Sequence, residues 1–63
     1  MKRITIVVTE DSTYRYLLVI DLETGDDILR EKHWMFDDDY DEDAVIEAIR
    51  NRYKCPDAPI IYW

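Results

Sequence analysis

Three stretches whose hydrophobicity alternates residue by residue precede the one stretch with helical spacing, and this order constrains the fold more than any other feature of the chain. Arg3 to Thr9 sets Ile4, Ile6 and Val8 on one side and Arg3, Thr5, Val7 and Thr9 on the other, the period of a strand. Glu10-Asp11-Ser12-Thr13 interrupts it with turn formers. Tyr14 to Leu22 resumes the alternation, with Tyr14, Tyr16, Leu18 and Ile20 on one face and Leu17 and Val19 on the other, so its middle reads as covered on both sides. Glu23-Thr24-Gly25-Asp26 holds the only glycine, where a hairpin loop needs a positive φ. Ile28 to Phe36 is the third strand, with Ile28, Arg30, Lys32, Trp34 and Phe36 opposite Leu29, Glu31, His33 and Met35. Neither face is clearly the apolar one, which leaves its burial register open.

The period then changes. From Asp41 to Tyr53, Val45, Ile46, Ile49 and Tyr53 share a helical stripe, Asp39 or Asp41 can cap it, acids fill the first turn, and Arg50, Arg52 and Lys54 close the last. Pro56 and Pro59 prevent continuation, and Ile60 to Trp63 forms a short strand that rejoins the sheet. The expected architecture is a single domain spanning residues 1–63, α+β in class and βββαβ in order: a small antiparallel sheet with one helix packed on one face.

Sixty-three residues lie near the lower limit for unaided folding, which leaves no room for an enzyme cleft plus a scaffold. A hydrophobic fraction of 48% with eight aromatic residues excludes a disordered acidic tail. The lone Cys55 cannot pair within the chain, so the cytosol is the expected compartment. The run after Lys2 and Arg3 is too short and too alternating for a signal-peptide core, and no apolar stretch has membrane-spanning length. Without a disulfide or metal to brace so small a core, a homodimer is an expected route to more buried surface.

The charge is localised. Seven of the eleven residues from Asp37 to Glu47 are acidic (Asp37, Asp38, Asp39, Asp41, Glu42, Asp43 and Glu47) and none is basic; the eight acids elsewhere match eight Lys and Arg, so the net charge of −7 sits in this one segment. Alternating Asp37, Asp39 and Asp41 suggest calcium, yet an EF-hand loop begun at Asp37 would have Glu42 and Ala48 where glycine and glutamate belong, and one begun at Asp39 would have Ala44 and Arg50. No metal or other cofactor is expected. With one histidine (His33), one serine (Ser12), one glycine and a lone Cys55, no catalytic constellation can be assembled, and His33 reads as an ordinary strand residue. Direct nucleic-acid binding is disfavoured as well, since Lys2, Arg3, Arg15, Arg30, Lys32, Arg50, Arg52 and Lys54 are dispersed and outnumbered.

The acids can instead imitate phosphates. Side chains two apart on extended chain lie about 6.5–7 Å apart and helical neighbours four apart about 6 Å, comparable to successive phosphates along one strand. A row of Asp37, Asp39, Asp41, Asp43 and Glu47 would suit a basic groove shaped for a nucleic-acid backbone. The plainer reading is a solvated helix start whose acids favour the dipole, but adjacent like charges cost a few tenths of a kcal/mol each, and three consecutive aspartates exceed what a cap needs. Trp34 and Phe36 carry two readings of their own: core beneath the helix, or a hydrophobic anchor beside steering charge.

A small, acidic, aromatic-rich α+β chain with its charge in one block resembles the host-takeover proteins of bacteriophages, in particular anti-CRISPR proteins and other DNA mimics. The resemblance implies an inhibitor, without catalysis or cofactor, that blocks the nucleic-acid channel of a basic host defence or transcription complex. The rival expectation is a small interaction or assembly module, antitoxin-like or subunit-binding, that pairs through Trp34, Phe36 or an exposed strand edge.

Overall fold

A computed structural model describes residues 3–63; Met1 and Lys2, the latter one of the dispersed cations, lie outside the described residues. The elements are β1 (Ile4–Glu10), β2 (Tyr14–Asp21), β3 (Asp27–Trp34), α1 (Glu42–Arg52) and β4 (Ile60–Tyr62). They form one four-stranded sheet in the order β3-β2-β1-β4. The α+β class and the βββαβ order stand, but the sheet is mixed: β1–β2 and β2–β3 are antiparallel, whereas β4 lies parallel to β1. The parallel strand follows from the path. Two antiparallel turns make β3 run in the direction of β1, so a chain that leaves β3 at one edge and re-enters at the other in the same direction must cross the sheet, and α1 is that crossing.

One crossing helix covers one face. Ile4, Ile6 and Val8 of β1 and Leu17 and Val19 of β2 lie beneath Ile46 and Ile49 of α1, with Ala58 closing the end. Each of the larger side chains contributes about 1.5–3 kcal/mol by leaving water. Val45 and Tyr53 complete the helical stripe as partly buried neighbours.

The other face has no covering layer among the described residues. Val7 of β1 and Tyr14, Tyr16, Leu18 and Ile20 of β2 are only half-buried there, and Arg30, Lys32 and Trp34 of β3 are exposed. The expectation that the middle of β2 is covered on both sides is therefore corrected: only its Leu17–Val19 side is. An 11-residue helix with two fully buried residues has no second apolar surface to offer.

Local chemistry fixes the joints. Gly25 adopts φ +78 and its N–H donates to the Asp21 carbonyl at 2.7 Å, as the β2–β3 hairpin requires. The ladder opposes Val19 to Leu29 but Ile20 to Asp27, which leaves Ile28 as the extra residue of a bulge. At the C-terminus of α1, Lys54 takes φ +55 and the Cys55 N–H reaches back to the Arg50 carbonyl at 2.9 Å. The Arg50 guanidinium donates to the Ala58 carbonyl at 2.7 Å and ties the loop before β4 to the helix.

Candidate interaction surface

Two successive turns carry the chain from the edge of the sheet to the helix: the Asp37 N–H donates to the Trp34 carbonyl and the Tyr40 N–H to the Asp37 carbonyl, each at 3.1 Å. Phe36 thus lies in a turn beyond the end of β3 rather than within it. Trp34 pairs with Tyr14 across the ladder, which puts it on the uncovered face. Both aromatics are exposed, Trp34 by 52% and Phe36 by 62%, so neither belongs to the core. Their rings meet edge-on with centroids 5.8 Å apart, forming an aromatic pair at the corner of the sheet.

The seven acids separate into structural and unoccupied ones. Asp37 accepts the Asp39 N–H at 2.9 Å and shapes the turn. Asp41, and not Asp39, is the N-cap: its carboxylate accepts the Ala44 N–H at 3.2 Å. Glu42 is engaged within the fold: Arg15 grips it with Nε at 2.6 Å and a terminal nitrogen at 3.1 Å. Both side chains of that pair are 23% exposed, and Arg15 also reaches Glu10 at 2.9 Å. These carboxylates raise the guanidinium pKa further, Glu42 most of all. By contrast Asp38, Asp39, Asp43 and Glu47 are exposed, and their carboxylates make no hydrogen bond or ion pair among the described residues.

Sequence reasoning missed what holds this strip in place. Tyr40 stacks on His33 with centroids 4.7 Å apart and an interplanar angle of 27°, and its hydroxyl donates to Glu42 at 3.4 Å. Burial, with the Glu42 charge in support, pushes the Tyr40 phenol up to about 12. His33, read as an ordinary strand residue, is the platform for this contact; its buried Nε2 has no hydrogen-bond partner and stands 3.7 Å from a Glu31 carboxylate oxygen. One signal was available: Tyr40 is the only residue from Asp37 to Asp43 that is not acidic, and a lone apolar group in a charged run is there to pack. The Arg15–Glu42 pair spans 27 residues and leaves no local trace.

The nearby β1–β2 turn is fixed separately. Asp11 accepts the N–H groups of Tyr14 at 2.7 Å and Thr13 at 2.8 Å and the Tyr16 hydroxyl at 2.7 Å, and these donors, Tyr14 first, hold its carboxyl down at about 2. Among the described residues no group of three His, Cys, Asp or Glu side chains is placed to hold a metal ion. Cys55 is half-buried, and its thiol donates to the Tyr53 carbonyl at 3.2 Å. No described helix is long and apolar enough to cross a membrane. Compared with known proteins, the chain matches no family model, no curated protein and no solved structure.

Proposed function

We propose that this protein is a non-catalytic inhibitor that binds a basic, nucleic-acid-binding partner and presents carboxylates where that partner otherwise holds phosphates. The supporting observation is the division of labour among the acids. Asp37, Asp41 and Glu42 serve the turn, the cap and the clamp to β2, whereas Asp38, Asp39, Asp43 and Glu47 stand exposed and serve no fold contact among the described residues. Apart from Asp43, which lies in the first turn of α1 and favours its dipole, they add repulsion without a folding return, the pattern of a recognition site. Asp43 and Glu47 are one helical turn apart, about 6 Å, which matches successive backbone phosphates. By its resemblance to anti-CRISPR proteins and DNA mimics, the natural setting is a phage-encoded protein in a bacterial cytoplasm, acting on a CRISPR-type defence or a transcription complex.

A second reading has its own observation. The exposed Trp34–Phe36 pair directly before the strip is the kind of aromatic anchor that dominates protein interfaces, which favours an assembly or antitoxin-like module. The two readings differ in what opposes binding. Capture of partners on the immobilised protein, challenged by rising salt and by sheared duplex DNA, tests this: a mimic releases its partner to both, while retention indifferent to both rejects mimicry in favour of the aromatic anchor.

A further inference from the structure

The acidic strip leaves unexplained the broad face of the sheet that α1 does not cover. We propose that a second copy of this chain packs on it, sheet against sheet. Ile61, Val7 and Leu18 form a continuous apolar row across β4, β1 and β2, with Tyr16 and Ile20 on either side of Leu18. All five are half-buried or exposed in a single copy.

Area, charge and core size select the occupant. Strands of seven, eight, eight and three residues at about 3.3 Å each, set about 4.8 Å apart, give a flat footprint of roughly 410 Å² per copy and about 820 Å² per pair, and the pleat and side chains raise this towards the roughly 1,000 Å² of a specific interface. The acidic strip is absent from this face: Arg30 pairs with Asp27, the Lys32 ammonium lies 3.9 Å from the centre of the Tyr14 ring, and Arg3 is exposed at the end of the Thr5–Val7 row. A molecule of net charge −7 meets least repulsion from its own copy through a face away from the acidic strip, whereas a basic partner is drawn to the strip instead. Eight buried apolar residues among the described residues make a thin core, and two apposed sheets would enclose Val7, Leu18 and Ile20 of both copies within a helix-sheet-sheet-helix stack. Setting β3 of one copy over β4 of the other keeps the two Lys32 side chains apart. It also lays them near Ile61 and Trp63, which are 44% and 90% exposed. The helices and acidic strips then face outward on both sides, so the dimer stands independently of the mimic reading.

Sedimentation equilibrium of the full chain up to about 200 μM tests the proposal. The expected mass is twice the 7.6 kDa of one chain. Because screening relieves repulsion between two anions, association should hold or tighten as salt rises, opposite to what mimicry requires of the partner complex. Leu18→Asp and Ile61→Lys should each weaken association by roughly tenfold or more with an unchanged circular dichroism spectrum. If Leu18→Asp fails to fold, Ile61→Lys at the exposed edge decides alone. A wild-type protein that stays monomeric over this range overturns the proposal and assigns the face to another protein. A dimer indifferent to Ile61→Lys, or one without isotope-filtered contacts between Leu18 of one copy and Val7 of the other, which oppose each other when β3 lies over β4, also overturns it and points to the free edge of β3.

Discussion

Replacing Arg15 with Met breaks the one long-range polar clamp, among the described residues, between the sheet and the start of α1. Two unit charges about 3 Å apart at an effective dielectric near 20 attract by roughly 5 kcal/mol, but desolvating two mostly covered groups and ordering two long side chains offset most of this. What remains should exceed that of an exposed pair, because the contact is bidentate and both side chains are only 23% exposed. We expect a coupling of about 1.5 kcal/mol from a double-mutant cycle of Arg15→Met and Glu42→Gln, read from urea denaturation at constant slope. Arg15→Met alone should cost about 2 kcal/mol, since Glu42 then keeps only the long contact from Tyr40. Amide exchange of residues 37–41 should quicken in the same variant, as the strip loses its tether. A coupling under about 0.3 kcal/mol would refute this reasoning and return Glu42 to the solvent-facing acids.

Three further outcomes are expected. Ile49→Ala, at a position 3% exposed, should cost about 3 kcal/mol and lower the melting temperature by roughly 15 °C, whereas Trp34→Ala and Phe36→Ala should each cost about 1 kcal/mol or less; a melt that ranks them otherwise contradicts the core described above. Tyr40 carries a phenol pKa raised from 10.0 to about 12, so the stability it contributes is fully present below pH 10 and is lost as pH rises through 12; an ultraviolet titration should show a late-ionising tyrosine that vanishes in Tyr40→Phe. Lys54→Gly should stabilise by about 0.5–1 kcal/mol by relieving a left-handed backbone, and a chemical melt in which the variant is less stable would show that the Lys54 side chain matters more than its φ.

Much of this fold was legible because its signals are local. Alternating β-branched residues mark β1 and β2, Gly25 marks the hairpin, and the Asp41 cap with the Ile46–Ile49 stripe marks the helix. What was not legible depends on distant neighbours. The aromatic side of β2 rivals Leu17 and Val19 in hydrophobicity, and only the single helix decides that the aliphatic side is buried. The direction of β4 is set by the crossing of α1, not by its own three residues. Lys54 at φ +55 carries no glycine to announce the left-handed turn. At the surface, composition located the acidic strip but could not separate working carboxylates from free ones. The separation rests on contacts with Arg15, Ala44 and Asp39 that appear only on folding.

The most direct test of phosphate mimicry is the affinity of a captured partner for a variant carrying Asp38→Asn, Asp39→Asn, Asp43→Asn and Glu47→Gln, measured against salt beside the wild type. The carboxylates of these exposed acids make no hydrogen bond or ion pair among the described residues, so the melting temperature should change little, with relief of repulsion offsetting the lost first-turn charge of Asp43. If they stand in for phosphates, the variant should bind at least about a hundredfold more weakly at low salt, and the slope of affinity against salt should flatten. Wild-type affinity in the folded variant, with the same salt slope, would contradict the account.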